Sequence, residues 1–270
     1  MKSECAVVIG VGDIGLACAR RVGAGRRLVL ADFQQKTLDR AAEQLSGAGF
    51  DVVCQQVDVA DPEAVARVAQ VAQEAGPLRA LVNTAGLSPT MADARRVYAV
   101  DLLGTALVMD AFLPLAGPGT AAIMIASVSA SFHSVDAELE RQLAVLPTDK
   151  LLDAVAGVHA DDPYGAYAVS KRGNQLRVEA AASAWGARGA RIVTVSPGLI
   201  HTGMAQQEAR AHQGMALMRA ATPMDRWGTA EDIASAVDWL ASPSASFVTG
   251  IDLRVDGGVV SSMRWAPPAA

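Results

Sequence analysis

The chain has 270 residues, of which 51% are hydrophobic and 19% charged, and its formal net charge at pH 7 is −5. This length and composition suit one large α/β domain with a sizeable core. An acidic balance without a basic stripe argues against nucleic acids and anionic membranes as partners. The three cysteines lack metal-like spacing, so we expect Cys5, Cys18 and Cys54 to be small core residues in a reducing compartment.

Strand and helix patterns alternate along the chain. Apolar runs rich in β-branched residues predict strands at residues 6–9, 28–31, 52–57, 80–82, 122–126, 192–195 and 251–255. Helical patterns lie between most of them, at residues 14–22, 36–45, 62–75, 94–115, 164–185 and 230–240. The alternation predicts a single doubly wound α/β domain over residues 1–270, with helices on both faces of a parallel sheet. We see no signal-peptide pattern and no apolar run long enough to span a bilayer, which predicts a cytoplasmic protein.

The first predicted strand ends in a glycine-rich turn, Gly10-Val-Gly12-Asp13-Ile14-Gly15. Gly10 permits a tight turn, Gly12 lets a bound pyrophosphate approach the backbone, and Gly15 allows the next helix to pack closely. A G-x-G-x-x-G pattern alone is weak, and a purely structural turn is the alternative, but here the pattern follows a strand and opens a helix. The turn therefore predicts a dinucleotide site at the N-terminus of the first helix.

Asp32 ends the second predicted strand. A carboxylate at this place can bind the hydroxyls of an adenosine ribose, and it repels a 2′-phosphate. No basic residue lies in the glycine turn or directly after Asp32, whereas Arg26 and Arg27 lie at the other end of the strand. This arrangement predicts NAD(H) rather than NADP(H), with a solvated loop acid as the alternative interpretation of Asp32.

Tyr167 and Lys171 are four residues apart in Tyr167-Ala-Val-Ser-Lys171, so they share one helical face. A tyrosine hydroxyl is a poor acid or base at neutral pH, because its ordinary pKa is about 10. The charge of Lys171 favours the phenolate and lowers that pKa, which makes Tyr167 a candidate proton-transfer group. Together with the dinucleotide site and Ser127 upstream, the pair indicates hydride transfer between a nicotinamide and a carbonyl or alcohol.

Six runs, in this order, resemble motifs of the short-chain dehydrogenase/reductase family over roughly residues 4–260. They are Val57-Asp58-Val59, Asn83-Thr-Ala85-Gly86, Ile125-Ala-Ser127-Val128, Tyr167-Ala-Val-Ser-Lys171, Ser196-Pro197-Gly198-Leu-Ile200-His-Thr202 and Val255-Asp256-Gly257-Gly258. The resemblance implies a single Rossmann-type doubly wound domain with a seven-stranded parallel sheet and helices on both faces.

The resemblance also implies a role for each matching residue. Tyr167 would move the substrate proton, Ser127 would hydrogen-bond the substrate oxygen, and Lys171 would bind the nicotinamide ribose and tune Tyr167. Ser129 is a rival to Ser127, but the Ile-Ala-Ser-Val alignment favours Ser127. Asp58 would read the adenine amino group. The expected NAD contacts are Gly10, Gly12, Asp13, Ile14, Gly15, Asp32, Phe33, Asp58, Val59, Asn83, Ala85, Gly86, Tyr167, Lys171, Pro197, Gly198, Ile200 and Thr202, and no metal ligand is expected.

Two acids depart from the family pattern. Asp13 stands where the family often has a glycine, in a loop that is shorter than usual, and we interpret it as the N-cap of the first helix. Asp101 replaces an asparagine that supports a proton-relaying water in the family, and we assign it to the catalytic group. An ionised Asp101 would raise the pKa of Lys171 and weaken its effect on Tyr167, whereas burial could keep Asp101 neutral. We favour the ionised, water-holding state, because a lysine is expected within reach.

Ser127 and Tyr167 are separated by a longer segment than in most of the family. Apolar residues recur in it at helical spacing, first Leu139, Leu143 and Leu146, then Leu151, Leu152, Val155 and Val158. We predict two short amphipathic helices in an insertion at about residues 133–162, with Thr148 as an N-cap. The layout resembles bacterial 3α-hydroxysteroid dehydrogenase/carbonyl reductases, in which an insertion here covers the substrate cleft and affects subunit assembly. A simple cap on the domain is the alternative.

The expected activity is an NAD(H)-dependent interconversion of a secondary alcohol and a ketone, with an apolar or steroid-like substrate. The alternatives are a reductase of small carbonyls or sugar-derived alcohols, and a non-catalytic NAD-binding redox sensor. Met204, Met215, Met218 and Met224 fit either core packing or an adaptable apolar lid. The long helices over residues 94–115 and 164–185 pack across two-fold axes in the family, which predicts a homodimer or homotetramer.

Overall fold

The computed structural model describes residues 3–206 and 214–265. Its centre is a sheet of seven strands in the order β3-β2-β1-β4-β5-β6-β7, and every neighbouring pair is parallel. The strands are β1 (Cys5–Ile9), β2 (Arg27–Asp32), β3 (Asp51–Gln56), β4 (Leu78–Asn83), β5 (Ala121–Ile125), β6 (Arg191–Pro197) and β7 (Asp252–Val255). The predicted strands and the parallel sheet are confirmed. The strand order reverses between β1 and β4, and the crevice beyond their carboxyl ends is where ligands bind in such sheets.

Helices cover both faces of this sheet. They are α1 (Asp13–Val22), α2 (Gln35–Gly47), α3 (Pro62–Ala75), α4 (Ala94–Val97), α5 (Gly104–Phe112), α6 (Ala137–Val145), α7 (Leu151–Val155), α8 (Pro163–Gly186), α9 (Gly214–Ala221), α10 (Ala230–Ala241) and α11 (Val259–Trp265). Short 3₁₀ turns occur at Leu113–Leu115, Val128–Ser131, Thr148–Lys150 and Pro243–Ala245.

The central strands are buried on both faces, which explains their near-continuous apolar sequences. In β1, Val7 and Ile9 belong to the core that includes Phe112, whereas Val8 belongs to the opposite core with Leu38. Successive side chains of a strand point to opposite faces, so one strand contributes to both layers.

The predicted helix over residues 94–115 contains a π-helical turn, Tyr98–Leu103, between α4 and α5. In this turn the N–H of Gly104 donates to the carbonyl of Ala99, five residues earlier. The helix is long and apolar enough to cross a membrane, with a mean hydropathy of 1.5, so the expectation that no run has this property was wrong. In the fold, 61% of the most apolar 18-residue stretch of this helix is buried inside the protein, as in a core helix.

The insertion contains the two predicted short helices, α6 and α7. Their apolar faces dock on the π-helical turn and on α8, in a cluster formed by Leu139, Leu143, Leu151 and Val155 with Val97, Tyr98, Leu102, Val169 and Leu176. The Arg172 guanidinium of α8 lies 2.7 Å from the Glu140 carboxylate of α6. The insertion thus covers part of the helix faces that we predicted to meet a second subunit.

Two local expectations were wrong. Thr148 is not an N-cap but the first residue of a 3₁₀ turn whose N-cap is Pro147. The Thr148 hydroxyl instead donates to Asp110 of α5 and accepts from Arg177 of α8, and so it connects the insertion to both helices. Cys5 and Cys18 are buried as predicted, but Cys54 is exposed. Cys54 lies on β3, an edge strand in which no residue is buried.

Candidate active site

The four predicted catalytic residues are brought to the carboxyl edge of the sheet by different elements. Ser127 follows β5, Tyr167 and Lys171 lie in the first half of α8, and Asp101 lies in the π-helical turn. Lys171 Nζ connects three of these elements, because it contacts Asp101 Oδ1 at 2.9 Å and donates to the carbonyl of Ile125 in β5 at 3.4 Å. It also lies 5.3 Å from the centroid of the Tyr167 ring.

The Asp101–Lys171 pair is removed from water. The Asp101 side chain is 0% exposed and that of Lys171 5%. Burial alone would lower the pKa of Lys171, but the negative charges of the Asp101 carboxylate and of the Tyr167 phenolate raise it, and the net shift is upward. Burial raises the pKa of Asp101, and the net shift is upward although Lys171 and the Leu87 N–H act in the opposite direction. One oxygen of Asp101 faces Lys171 and the other accepts from Leu87 N–H at 3.1 Å, an arrangement that suits a carboxylate.

Ser127 is fixed by the turn that follows it. Its Oγ accepts a hydrogen bond from the N–H of Ser129 at 3.2 Å and caps the 3₁₀ turn. A hydroxyl that accepts one bond can still donate its hydrogen to a substrate oxygen. The rival Ser129 has a buried Oγ without a hydrogen-bond partner among residues 3–206 and 214–265. Both serines are half-buried as residues, but the Ser129 hydroxyl itself is buried, which favours Ser127 as the serine that meets the substrate.

An apolar wall stands beside Ser127. Val128 packs with Val259 and Val260 of α11, and Met218 and Ala221 of α9 pack against them. Of the other methionines after Thr202, Met204 and Met224 are exposed and Met215 is half-buried. Met218 therefore packs against this apolar cluster, whereas Met204 and Met224 lie at the surface.

The glycine turn has the geometry of a phosphate cradle. Gly10 has a φ of +83°, and a Cβ there would lie 2.6 Å from the backbone nitrogen of Ala85. A Cβ on Gly15 would lie 1.8 Å from the carbonyl oxygen of Gly10, so close packing of α1 against the turn requires a glycine at this position. A Cβ on Gly12 would meet no atom within 4 Å. The open space at Gly12, at the N-terminus of α1, fits the close approach of a diphosphate.

The assignment of Asp13 as a helix N-cap was wrong. Gly12 is the N-cap, without a side-chain bond, and Asp13 is the first residue of α1. Its Oδ2 accepts a hydrogen bond from the N–H of Gly203 at 2.8 Å. The carboxylate therefore joins the glycine turn to the segment that follows Thr202.

Asp32 occupies the position predicted for a ribose ligand. Its Oδ2 accepts from the N–H of Val11 in the glycine turn at 2.8 Å, and its Oδ1 accepts from the N–H of Gln34 at 2.8 Å. Each carboxylate oxygen keeps a lone pair for a further donor. The next residue, Phe33, is 60% exposed beside it.

Sequence reasoning missed Arg96 at the expected adenine site. Its Nη2 lies 2.8 Å from Asp58 Oδ2, while Asp58 Oδ1 accepts from the N–H of Ala60. The Arg96 guanidinium also lies 5.9 Å from the centroid of the Phe33 ring. No motif could have indicated this residue, because the three side chains come from separate elements and meet only in the fold.

The other expected cofactor residues lie along the same edge. Asn83 is buried at the end of β4, where its Oδ1 accepts from the N–H of Ala85. A Cβ on Gly86 would lie 2.6 Å from Asp101 Oδ1, so this glycine makes room for the buried ion pair. Pro197 ends β6 and is followed by Gly198, Ile200 and Thr202, and Ile14 and Val59 border the turns after β1 and β3. Among the described residues no cluster of metal-ligating side chains occurs.

Comparison with known sequences decides the family. A model described as short chain dehydrogenase matches residues 4–137, and one described as enoyl-(acyl carrier protein) reductase matches residues 151–260. The short-chain dehydrogenase/reductase bsc3 of Alternaria brassicicola is 34% identical over 266 residues, covering 97% of each chain. The chain belongs to the short-chain dehydrogenase/reductase family. It is an oxidoreductase of alcohols or carbonyls.

Other similar members of the short-chain dehydrogenase/reductase family are named for different substrates. A galactitol 2-dehydrogenase (L-tagatose-forming) of Cereibacter sphaeroides is 33% identical and covers 96% of this chain and 95% of its own. A 3-alpha-hydroxysteroid dehydrogenase/carbonyl reductase of Comamonas testosteroni is 31% identical, with 92% and 95% covered. A crystal structure of an actinorhodin polyketide ketoreductase variant with NADPH has a TM-score of 0.75 at 25% identity, covering 96% of this chain and 97% of that one.

Proposed function

We propose that this protein is an NAD(H)-dependent enzyme that interconverts a secondary alcohol and a ketone on an apolar, cyclic or steroid-like molecule. The observation that carries the proposal is the arrangement around Lys171, which contacts Asp101 at 2.9 Å and lies 5.3 Å from the Tyr167 ring, beside the strand that leads to Ser127.

The chemistry assigned to the chain itself is proton transfer and orientation. The Tyr167 hydroxyl donates its proton to the substrate oxygen in ketone reduction, and the Tyr167 phenolate accepts the proton of the substrate hydroxyl in alcohol oxidation. The Ser127 hydroxyl donates a hydrogen bond to the same oxygen and stabilises its developing negative charge. Lys171 lowers the pKa of Tyr167 through its positive charge. A bound nicotinamide supplies or accepts the hydride.

Asp32 supports NAD(H) as the cofactor. The carboxylate is fixed by Val11 and Gln34 at the end of β2, where it can accept hydrogen bonds from ribose hydroxyls. A 2′-phosphate in the same place would meet a negative charge. Arg96, whose guanidinium lies 5.9 Å from the centroid of the neighbouring Phe33 ring, is already paired with Asp58 at 2.8 Å.

The apolar wall supports the substrate class. Val128 directly follows Ser127 and is backed by Val259, Val260 and Met218. These valines are buried, so this side of the site is backed by hydrocarbon and offers few hydrogen-bond partners for the hydroxyls of a sugar alcohol. The 3-alpha-hydroxysteroid dehydrogenase/carbonyl reductase relative supports the same substrate class. The galactitol 2-dehydrogenase relative keeps sugar-derived alcohols as the second candidate.

Turnover measurements test the cofactor and the substrate together. A panel of hydroxysteroids, cyclohexanols, galactitol and small carbonyls is assayed with NAD(H) and NADP(H). The proposal predicts the highest kcat/KM for an apolar ring substrate with NAD(H). A higher kcat/KM with galactitol would replace the substrate class, and a higher kcat/KM with NADP(H) would replace the cofactor.

We also propose a homo-oligomer that works in the cytoplasm. The insertion covers part of the predicted helix interface, which favours a dimer over a tetramer. β7 is an edge strand, and exposed apolar residues precede it in the chain, Trp239 on α10 and Phe247 and Ile251 in the segment that leads to the strand. These features support contact with a second copy. The free thiols of Cys5, Cys18 and Cys54 are consistent with a reducing compartment.

A further inference from the structure

Helix α8 holds Asp101 at two points. Lys171 Nζ contacts its carboxylate at 2.9 Å, and Asn174 Nδ2 donates to its backbone carbonyl at 3.0 Å. Lys171 and Asn174 are three residues apart, so they lie on the same face of the helix. We propose that Asn174 is a positioning residue, which fixes Asp101 against Lys171 and thereby sets the acidity of Tyr167.

The π-helical turn explains why Asp101 needs this support. The turn has hydrogen bonds over five residues instead of four, as between Gly104 N–H and Ala99 O, and such turns are rare features that often lie at functional sites. Within it, the carbonyl of Asp101 accepts from Thr105 Oγ1 at 3.0 Å and from Asn174 Nδ2 at 3.0 Å. The two side-chain donors stabilise the wide turn at the residue that faces Lys171.

An asparagine at position 174 is informative, because its side-chain carbonyl oxygen destabilises the fold. Asn174 is 1% exposed, and its Oδ1 has no hydrogen-bond partner within the described parts of the chain. An unpaired buried acceptor destabilises a fold, and a leucine of similar size would avoid it. The bond from Nδ2 to Asp101 is the interaction that a leucine could not make.

The electrostatic surroundings of the pair are simple. The titratable groups that act on Lys171 are Asp101 from the π-helical turn and Tyr167 from its own helix. The loop after β4 contributes the Leu87 N–H, and β5 contributes the Ile125 carbonyl, both uncharged. Loss of the Asn174 bond would let Asp101 move away from Lys171. The lysine charge would then be offset less, and the pKa of Tyr167 would fall.

The inference rests on the proposed function, in which Tyr167 moves the proton, but its deciding measurement needs neither cofactor nor substrate. Ultraviolet difference titration measures phenolate formation, and subtraction of the Tyr167→Phe curve isolates Tyr167 from the other two tyrosines. Burial raises the pKa of Tyr98, which keeps its ionisation separate. The same pKa is then compared with the alkaline limb of log kcat/KM for alcohol oxidation.

The variants are Asn174→Leu, Asp101→Asn and the double variant, with Gln175→Leu as matched control. Gln175 is a buried amide of the same helix that donates to Ser196 Oγ at 3.0 Å instead of to Asp101. We expect Asn174→Leu to lower the pKa of Tyr167 by about half a unit. Asp101→Asn should lower it by at least as much, the double variant should match Asp101→Asn, and Gln175→Leu should leave it unchanged.

Two results would overturn the inference. One is an unchanged pKa of Tyr167 in folded Asn174→Leu. The other is a double variant in which Asn174→Leu lowers the pKa of Tyr167 as much as it does when Asp101 is present. Circular dichroism verifies the fold of each variant, and Asn174→Ala, which also lacks the donor, serves in the same comparison if the leucine variant does not fold. Absence of turnover in the unsubstituted protein would count against the proposed function alone, because the titration reads Tyr167 directly.

Discussion

Asp101 Oδ1 lies 2.9 Å from Lys171 Nζ, in direct contact, and both side chains are buried. The sequence led us to expect an acid that holds a water between itself and the lysine. Direct contact has a stronger consequence, because the carboxylate offsets the lysine charge at the distance of an ion pair. Tyr167, which depends on that charge, should therefore be a weaker acid than it would be beside an unpaired lysine.

Asp101→Asn should shift the pH dependence of alcohol oxidation. Asparagine has nearly the same shape, so the change removes the charge with little repacking. Without the carboxylate, the charge of Lys171 acts fully on Tyr167, the pKa of Tyr167 falls, and the alkaline limb of log kcat/KM moves to lower pH. Superimposable profiles would refute the electrostatic role. A shift to higher pH would mean that the buried lysine loses its proton, which also contradicts the account.

Asp13→Asn should strengthen NADH binding. The Asp13 carboxylate lies in the first turn of α1, beside the expected diphosphate, and accepts from Gly203 N–H at 2.8 Å. Asparagine keeps an acceptor for Gly203 but removes the repulsion, so Kd should fall by roughly twofold to fivefold, more at low salt. Asp13→Ala removes the link as well and serves as the comparison. Fluorescence titration at two salt concentrations measures the Kd of NADH for both variants. Weaker binding of NADH by Asp13→Asn would contradict the prediction and show that the charge itself is needed.

Asp32→Ala should narrow the preference for NAD over NADP. The substitution removes a ribose acceptor and the charge that repels a 2′-phosphate, so the ratio of kcat/KM values should fall by roughly tenfold or more. Asp39→Ala, an exposed acid on α2, is the control and should leave the ratio unchanged. An equal change in both variants would assign the effect to the general charge of this surface.

The sheet and the catalytic motif were predictable from the sequence for separate physical reasons. Strands such as β1 are buried on both faces, so their apolar runs mark them without knowledge of the partner strands. Tyr167 and Lys171 are linked by the periodicity of one helix, which is local information. These features do not depend on how distant segments pack.

The parts that sequence could not supply depend on contacts between distant segments. Asp13 binds Gly203, Arg96 binds Asp58, and Asn174 binds the Asp101 carbonyl, and each of these pairs joins two elements. The π-helical turn has no signal in the apolar periodicity of residues 94–115, since one added residue in a turn is compatible with the same apolar face. The exposure of Cys54 follows from the position of β3 at the edge of the sheet, which only the strand order reveals.

Phe247→Ser should dissociate the proposed dimer. Phe247 is fully exposed in the segment that leads to the edge strand β7, and Ile251 in the same segment is exposed as well. Loss of an aromatic anchor at an interface weakens association strongly. Light scattering at micromolar concentration should give a dimer for the unsubstituted protein and a monomer for Phe247→Ser. Leu217→Ser, which removes an exposed apolar residue of α9, should remain dimeric. A monomeric mass without any substitution would contradict the assembly.

The central claim is that Tyr167 moves the proton in an NAD-dependent reaction of a ring alcohol, and Tyr167→Phe tests it most directly. The substitution removes only the hydroxyl, so NADH binding should survive while kcat falls by roughly a hundredfold or more. The decisive measurement is kcat for oxidation of the best secondary alcohol with NAD, taken together with the Kd of NADH for both proteins. The account predicts a large loss of kcat at an unchanged Kd, and a near-normal kcat in Tyr167→Phe would contradict it.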